Sequence, residues 1–187
     1  MTDDLLLLTN RPSGSAFAVA PVARRLVAAF IDCTIILAYA VFLYLSVLLV
    51  PQIRVWLSHS AAAHAKSFLL VTLPAAAYLC LAEASSSGAT FGKRLMGICV
   101  VSAAGGRLGI FRSMLRTAVR FIPWELAHSA LWRVRFGAEF SPHSIPFWLI
   151  VAAYALILAN IASQLFDQRH RAIYDFIADS QVNRVSR

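Results

Sequence analysis

The run from Leu26 to Val50, LVAAFIDCTIILAYAVFLYLSVLLV, limits what this chain can fold into more than any other stretch. It holds one ionisable group, Asp32. As a helix of about 25 residues it extends roughly 37 Å, enough to cross a hydrocarbon core of about 30 Å with some tilt. Arg25 stands at its mouth, where a guanidinium can reach up to lipid phosphate. Asp32 lies two helical turns further in, on the same face. A carboxylate at that depth costs about 2.5–3.5 kcal/mol unless it is protonated, hydrated or paired. Asp32 is therefore expected to face other helices. Two roles fit: a proton or cation site, or a buried carboxylate that ties helices together.

The rest of the composition agrees with a membrane domain. Of the 187 residues 59% are hydrophobic and only 14% charged, where a soluble domain carries about 25% charged. The net charge of +8 would suggest nucleic acid in a soluble protein. Here the basic residues flank apolar runs, so topology and anionic lipid account for it and no nucleic acid is expected. Cys33, Cys80 and Cys99 follow no ligand or redox spacing and read as packing residues.

Three further stretches complete the expected set of spans. Phe68–Ala84 is apolar, extends to about 67–86, and contains Pro74, which predicts a kink. Glu83 at its end could pair with Arg24 or Arg25, or stay exposed at the interface. Residues 113–132 form a polar candidate span, with Glu125 and His128 one turn apart as a relay or a bonded pair. Residues 146–166 are the last clear span. The basic residues Arg112, Arg116 and Arg120 form a ridge on one helical face. It suits lipid phosphate, with Lys93 and Arg94 beside it, or counter-charges for Asp32 or Asp175.

Between spans, 87–112 is Gly-rich and basic. Leu95–Val101 and Arg107–Phe111, around Ala103-Ala104-Gly105-Gly106, predict a small hairpin. Gly88-Ala-Thr-Phe-Gly92-Lys93-Arg94 falls one residue short of a P-loop and follows no strand. His59 and His64 sit on different sides of a helix, so no metal is expected there. Residues 168–179, with Ile173, Phe176 and Ile177 at helical spacing, predict an amphipathic surface helix. Residues 1–20 and 183–187 read as tails. The positive-inside rule favours four spans with both termini cytoplasmic; a three-span arrangement leaves 111–132 on the surface. The fold class is therefore an all-α membrane protein with a cytoplasmic hairpin and amphipathic surface helices.

Three pieces in this order resemble the RDD family of bacterial membrane proteins, named for an arginine and two aspartates. They are Arg24–Asp32 (RRLVAAFID), Gly88–Val101 (GATFGKRLMGICVV) running on through Gly106 to the basic stretch Leu115–Arg120, and Arg171–Asp179. The resemblance covers most of residues 22–182 and places the family's residues on Arg25, Asp32 and Asp175, where the sequence around Asp175 departs from the usual pattern. It implies a polytopic inner-membrane protein, with some members linked to transport including cation/proton exchange. On that basis Asp32, Arg25 and Asp175 are the expected ion or proton site. Arg24, Glu83, Arg116 and Arg120 are the expected polar support. The rival expectation is an assembly protein that binds a partner or anionic lipid through its basic face. A chain this small is expected to oligomerise. No Ser/His/Asp arrangement, cofactor motif or metal spacing appears, so neither an enzyme nor a cofactor is expected.

Overall fold

Residues 18–58 and 62–185 are described by the computed structural model. His59 and most of the expected N-terminal tail lie outside them. The chain begins with α1 (Val22–Leu49), followed after Val50 by the short α2 (Pro51–Ser58). Helix α3 runs over Ala63–Ala84, α4 over Phe91–Leu95 and strand β1 over Ile98–Ser102. Then come α5 (Ile110–Arg135), α6 (Ile145–Phe166), α7 (Ile173–Ile177) and β2 (Ser180–Arg184). Three of these, α1, α3 and α6, are long and apolar enough to cross a membrane. Their outward faces carry large apolar side chains such as Phe30, Phe42, Leu158 and Phe166, as expected where lipid rather than protein is the neighbour.

Helix α5 covers the expected fourth span but is too polar to join that group. It lies antiparallel to α3 along most of its length. Ser113 Oγ donates to the Cys80 carbonyl (2.8 Å) near one end, and Ser67 Oγ lies 2.7 Å from His128 Nε2 near the other. Its most extensive packing is on α6.

Helix α3 contains a π-helical turn over Phe68–Thr72. Its i→i+5 bonding brings residues five apart closer to one face than an α-helix would. Ser67 and Thr72 thereby both reach α5, at His128 and Glu125. Pro74 cannot donate to the carbonyl four residues back. That carbonyl, on Leu70, instead accepts from the Tyr39 hydroxyl of α1 at 2.7 Å.

The expected hairpin is not formed. Strand β1 pairs antiparallel with β2, with Val100 opposite Val182. Residue 107 touches β1 only through a single bridge, Val101 to Arg107. The turn at Gly105 and Gly106, both at positive φ (88° and 85°), sends Leu108 into the core at 1% exposure. Gly109 then starts α5, so the returning chain is too short to pair. The free edge of β1 is taken by the C-terminus, burying Val100 and Val182 with Ile98 and Ala20.

The other two terminal expectations change as well. Val19 bridges Asn183, and Ala20 N donates to the Val182 carbonyl at 3.0 Å, so the described residues at the inner ends of both expected tails join the sheet. The amphipathic helix over 168–179 shrinks to one turn, α7. His170 (φ 53°) and Asp179 (φ 46°) break the chain on either side. The side chain it turns inward is Asp175, fully buried.

Candidate functional site

A layer of buried charge joins the start of α1, the end of α3, α4, the start of α5 and α7. Arg116 is its centre, 1% exposed. Its Nη1 donates to Glu83 Oε2, while Nε and Nη2 reach Asp175 Oδ1 at 2.8 and 2.7 Å. Arg25 donates to the other oxygen of Asp175 at 2.5 Å and also to the His170 carbonyl. Lys93 Nζ meets Glu83 Oε1 at 2.5 Å, with Arg120 at 3.7 Å from the same oxygen. Asp175 further accepts from Ala172 N (3.0 Å), which caps α7. Planar guanidinium forks between two carboxylates are the arrangement that makes buried ion pairs tolerable, because the carboxylate oxygens are met by charged donors.

The electrostatics follow from that packing. Burial alone would raise the Asp175 carboxyl, but Arg116 and Arg25 outweigh it and hold it below the ordinary aspartate range. Burial pushes the Lys93 ammonium down to about 8 against the pull of Glu83, with Arg116 and Arg120 adding to the depression.

Four cationic side chains, Arg25, Lys93, Arg116 and Arg120, thus face two carboxylates, Glu83 and Asp175. A small cavity of about 70 Å³ opens among those four cations, Gln164 and Tyr174. The Arg116 guanidinium lies 4.9 Å from the centre of the Tyr174 ring, forming one wall.

Asp32 stands apart from this layer. It is 1% exposed, and no Lys, Arg or His forms an ion pair with it among the described residues. Tyr78 Oη donates to Oδ1 at 3.0 Å, Gly92 N to Oδ1 at 2.9 Å, and Thr90 Oγ1 to Oδ2 at 2.5 Å. Thr90 also caps α4 by accepting from Lys93 N. Asp32 therefore fastens α1 to α3 and to the start of α4. The fit is close: a Cβ on Gly92 would stand 2.3 Å from the Ala28 carbonyl oxygen.

Several expected pairings are replaced. Arg25 does not pair with Asp32, because its guanidinium is turned toward Asp175 on α7. Glu83 pairs with Lys93 and Arg116 rather than with Arg24, which is exposed and contacts the Met96 carbonyl at 3.5 Å. Lys93, expected to bind lipid at the surface, is turned inward onto Glu83 with its side chain 9% exposed. Arg112 is half-exposed and bonded to Ser102 and Asp179. Arg94 is exposed, its Nε on the Ala89 carbonyl.

Tyr78, Thr90 and Gly92 carry no strong signal in the sequence; the one available is Thr90 two residues before Gly92, a capping residue at a helix start.

A family model described as the RDD family matches residues 19–179. Comparison with curated proteins and with solved structures gave no match.

Proposed function

From the premise that the chain belongs to the RDD family and is a multi-pass membrane protein, we propose that it is a non-catalytic protein of the bacterial inner membrane. In this reading its buried charged layer clamps the helices, and the basic cavity over that layer binds an anionic lipid headgroup. The observation that carries it is the imbalance at the cavity: Arg25, Lys93, Arg116 and Arg120 line it, and among the described residues only Glu83 and Asp175 offset them. A phosphate oxygen would complete the guanidinium and ammonium donors that those two carboxylates leave over. The cavity's size admits an oxygen or two of a headgroup, not the lipid body.

In the orientation we propose, α5 crosses beside α3 as a fourth, polar span shielded by α3 and α6. Both termini and the sheet then lie on the cytoplasmic side, where anionic lipid concentrates positive charge. Lipid, or a second copy of the chain, covers the outer faces of α1 and α6.

Native mass spectrometry of the full-length protein released from mixed micelles tests the headgroup site. Phosphatidylglycerol should stay bound where phosphatidylcholine is lost, and Arg120→Gln should shed it. Equal retention of both lipids would refute the reading.

A second reading, monovalent cation/proton exchange at Asp32, is favoured by one observation: this buried carboxylate has no cationic partner among the described residues. Against it, three neutral donors already occupy the carboxylate oxygens. Ion-driven pH change in proteoliposomes decides. Flux lost in a well-folded Asp32→Asn would establish exchange. Absent flux together with a less stable variant would leave Asp32 as a fastening.

A further inference from the structure

At the opposite end of the α3–α5 pair from the charged layer, His64, Glu125 and His128 converge. Each offers a ligand atom within 4.8 Å of the others. His64 Nε2 lies 3.8 Å from Glu125 Oε2, and His128 Nδ1 lies 3.6 Å from Glu125 Oε1. Both of those nitrogens are buried and make no hydrogen bond. The His128 side chain is itself 9% exposed. Two unpartnered imidazole nitrogens aimed at one carboxylate leave valences that a buried polar cluster ordinarily fills.

We propose that His64 Nε2, His128 Nδ1 and Glu125 form a binding site for a divalent transition metal of the zinc type. Two nitrogens and a carboxylate oxygen are a ligand set that zinc accepts with its fourth position left to water. Ligands about 2.0–2.1 Å from a tetrahedral zinc sit roughly 3.3 Å apart. The two imidazole–carboxylate spacings, 3.8 and 3.6 Å, need to contract by a few tenths of an ångström, and the two ring nitrogens, within 4.8 Å of each other, draw together by small side-chain rotations.

The surroundings hold the ligands in place. Thr72 Oγ1 donates to Glu125 Oε1 at 2.5 Å and in turn accepts from Trp124 Nε1 at 3.0 Å. Ligating groups oriented by outer hydrogen bonds are the rule at metal sites.

His128 Nε2 has two neighbours with opposite demands. Trp132 Nε1 donates to it at 2.9 Å, which puts the ring proton on Nδ1. Ser67 Oγ, at 2.7 Å, can instead accept from it. A metal on Nδ1 requires the proton on Nε2, directed to Ser67. Metal uptake therefore exchanges one tautomer for the other and frees the Trp132 indole.

The test uses the full-length protein in detergent, stripped with chelator and titrated with cobalt chloride, then with zinc chloride. One cobalt per chain is expected, with the visible absorption of a low-coordinate site, displaced by zinc and accompanied by a change in tryptophan fluorescence. His128→Gln should weaken binding at least tenfold, and Thr72→Val about 10–100-fold as an outer-shell loss. Should His128→Gln fail to remain monodisperse, His64→Gln, whose ring is 39% exposed, gives the same reading. No saturable cobalt band in the wild type, or unchanged affinity in His64→Gln and Thr72→Val, would overturn the site.

Discussion

The two ends of the α3–α5 pair present opposite states of the same kind of chemistry. At one end Arg116, Glu83 and Asp175 are nearly inaccessible, and each is met by opposite charge. At the other, His64 and His128 sit beside Glu125 with two nitrogens unused. The first end is closed upon itself and stabilises the fold; only the excess of cations around its cavity looks outward. The second end is open and fitted to receive an ion. The comparison teaches that burial of polar groups is not one signal. What separates a fastening from a binding site is whether the partners' valences are already used.

Breaking the closed end should have the largest effect. Arg116→Met leaves Glu83 and Asp175 buried with fewer cations, and removing one partner of a buried network costs about 3–5 kcal/mol. Thermal unfolding in detergent should show a large fall in midpoint or no folded protein.

Acid should attack the same place. The folded-state value of Asp175 is depressed, so its contribution is present above the ordinary aspartate value of about 3.9 and is lost as the pH falls below it. Stability measured against pH should drop on that limb, and less steeply in Asp175→Asn.

Gly92→Ala sets a side chain against the Ala28 carbonyl. Overpacking of this kind costs about 1–3 kcal/mol, and it should appear as a lowered unfolding midpoint.

Without metal, His128→Gln should cost about 1 kcal/mol, the worth of an ordinary hydrogen bond. A loss as large as that of Arg116→Met would erase the contrast between the two ends. Smallest is Arg112→Ala. Its pair with Asp179 is about half exposed on both sides, and such pairs contribute about 0–1 kcal/mol.

Much of this was legible in the sequence for local reasons. Apolar runs of spanning length mark α1, α3 and α6, and Asp32 had to face protein because lipid cannot solvate it. The helix α5 was harder to place because its length fits a span while its arginines do not. The partners of Arg116, Glu83 and Asp175, are 33 and 59 residues away.

The sheet was out of reach for a related reason. The β1 residues pair with a C-terminal strand beyond α6, and nothing near Ile98 announces it. Asp175 misled in the other direction. Ile173, Phe176 and Ile177 suggested a helix lying on the membrane by its apolar face, whereas the aspartate among them is the residue turned inward. Glu125 and His128 were visible as a pair one turn apart. The third member, His64, depends on the register between α3 and α5, which the π-helical turn adjusts and which no local pattern encodes.

The central claim is that the cavity beside the closed end takes an anionic headgroup. The most direct measurement is thermal stability of the wild type in mixed micelles, titrated with phosphatidylglycerol and in parallel with phosphatidylcholine. Selective binding to the folded state raises the midpoint in proportion to the logarithm of lipid over its dissociation constant. A rise that grows with the logarithm of lipid concentration is expected with phosphatidylglycerol alone. That rise should be lost in Arg120→Gln and weakened as the pH passes upward through about 8, where Lys93 gives up its charge. An equal rise with both lipids, or one that Arg120→Gln leaves intact, would contradict it.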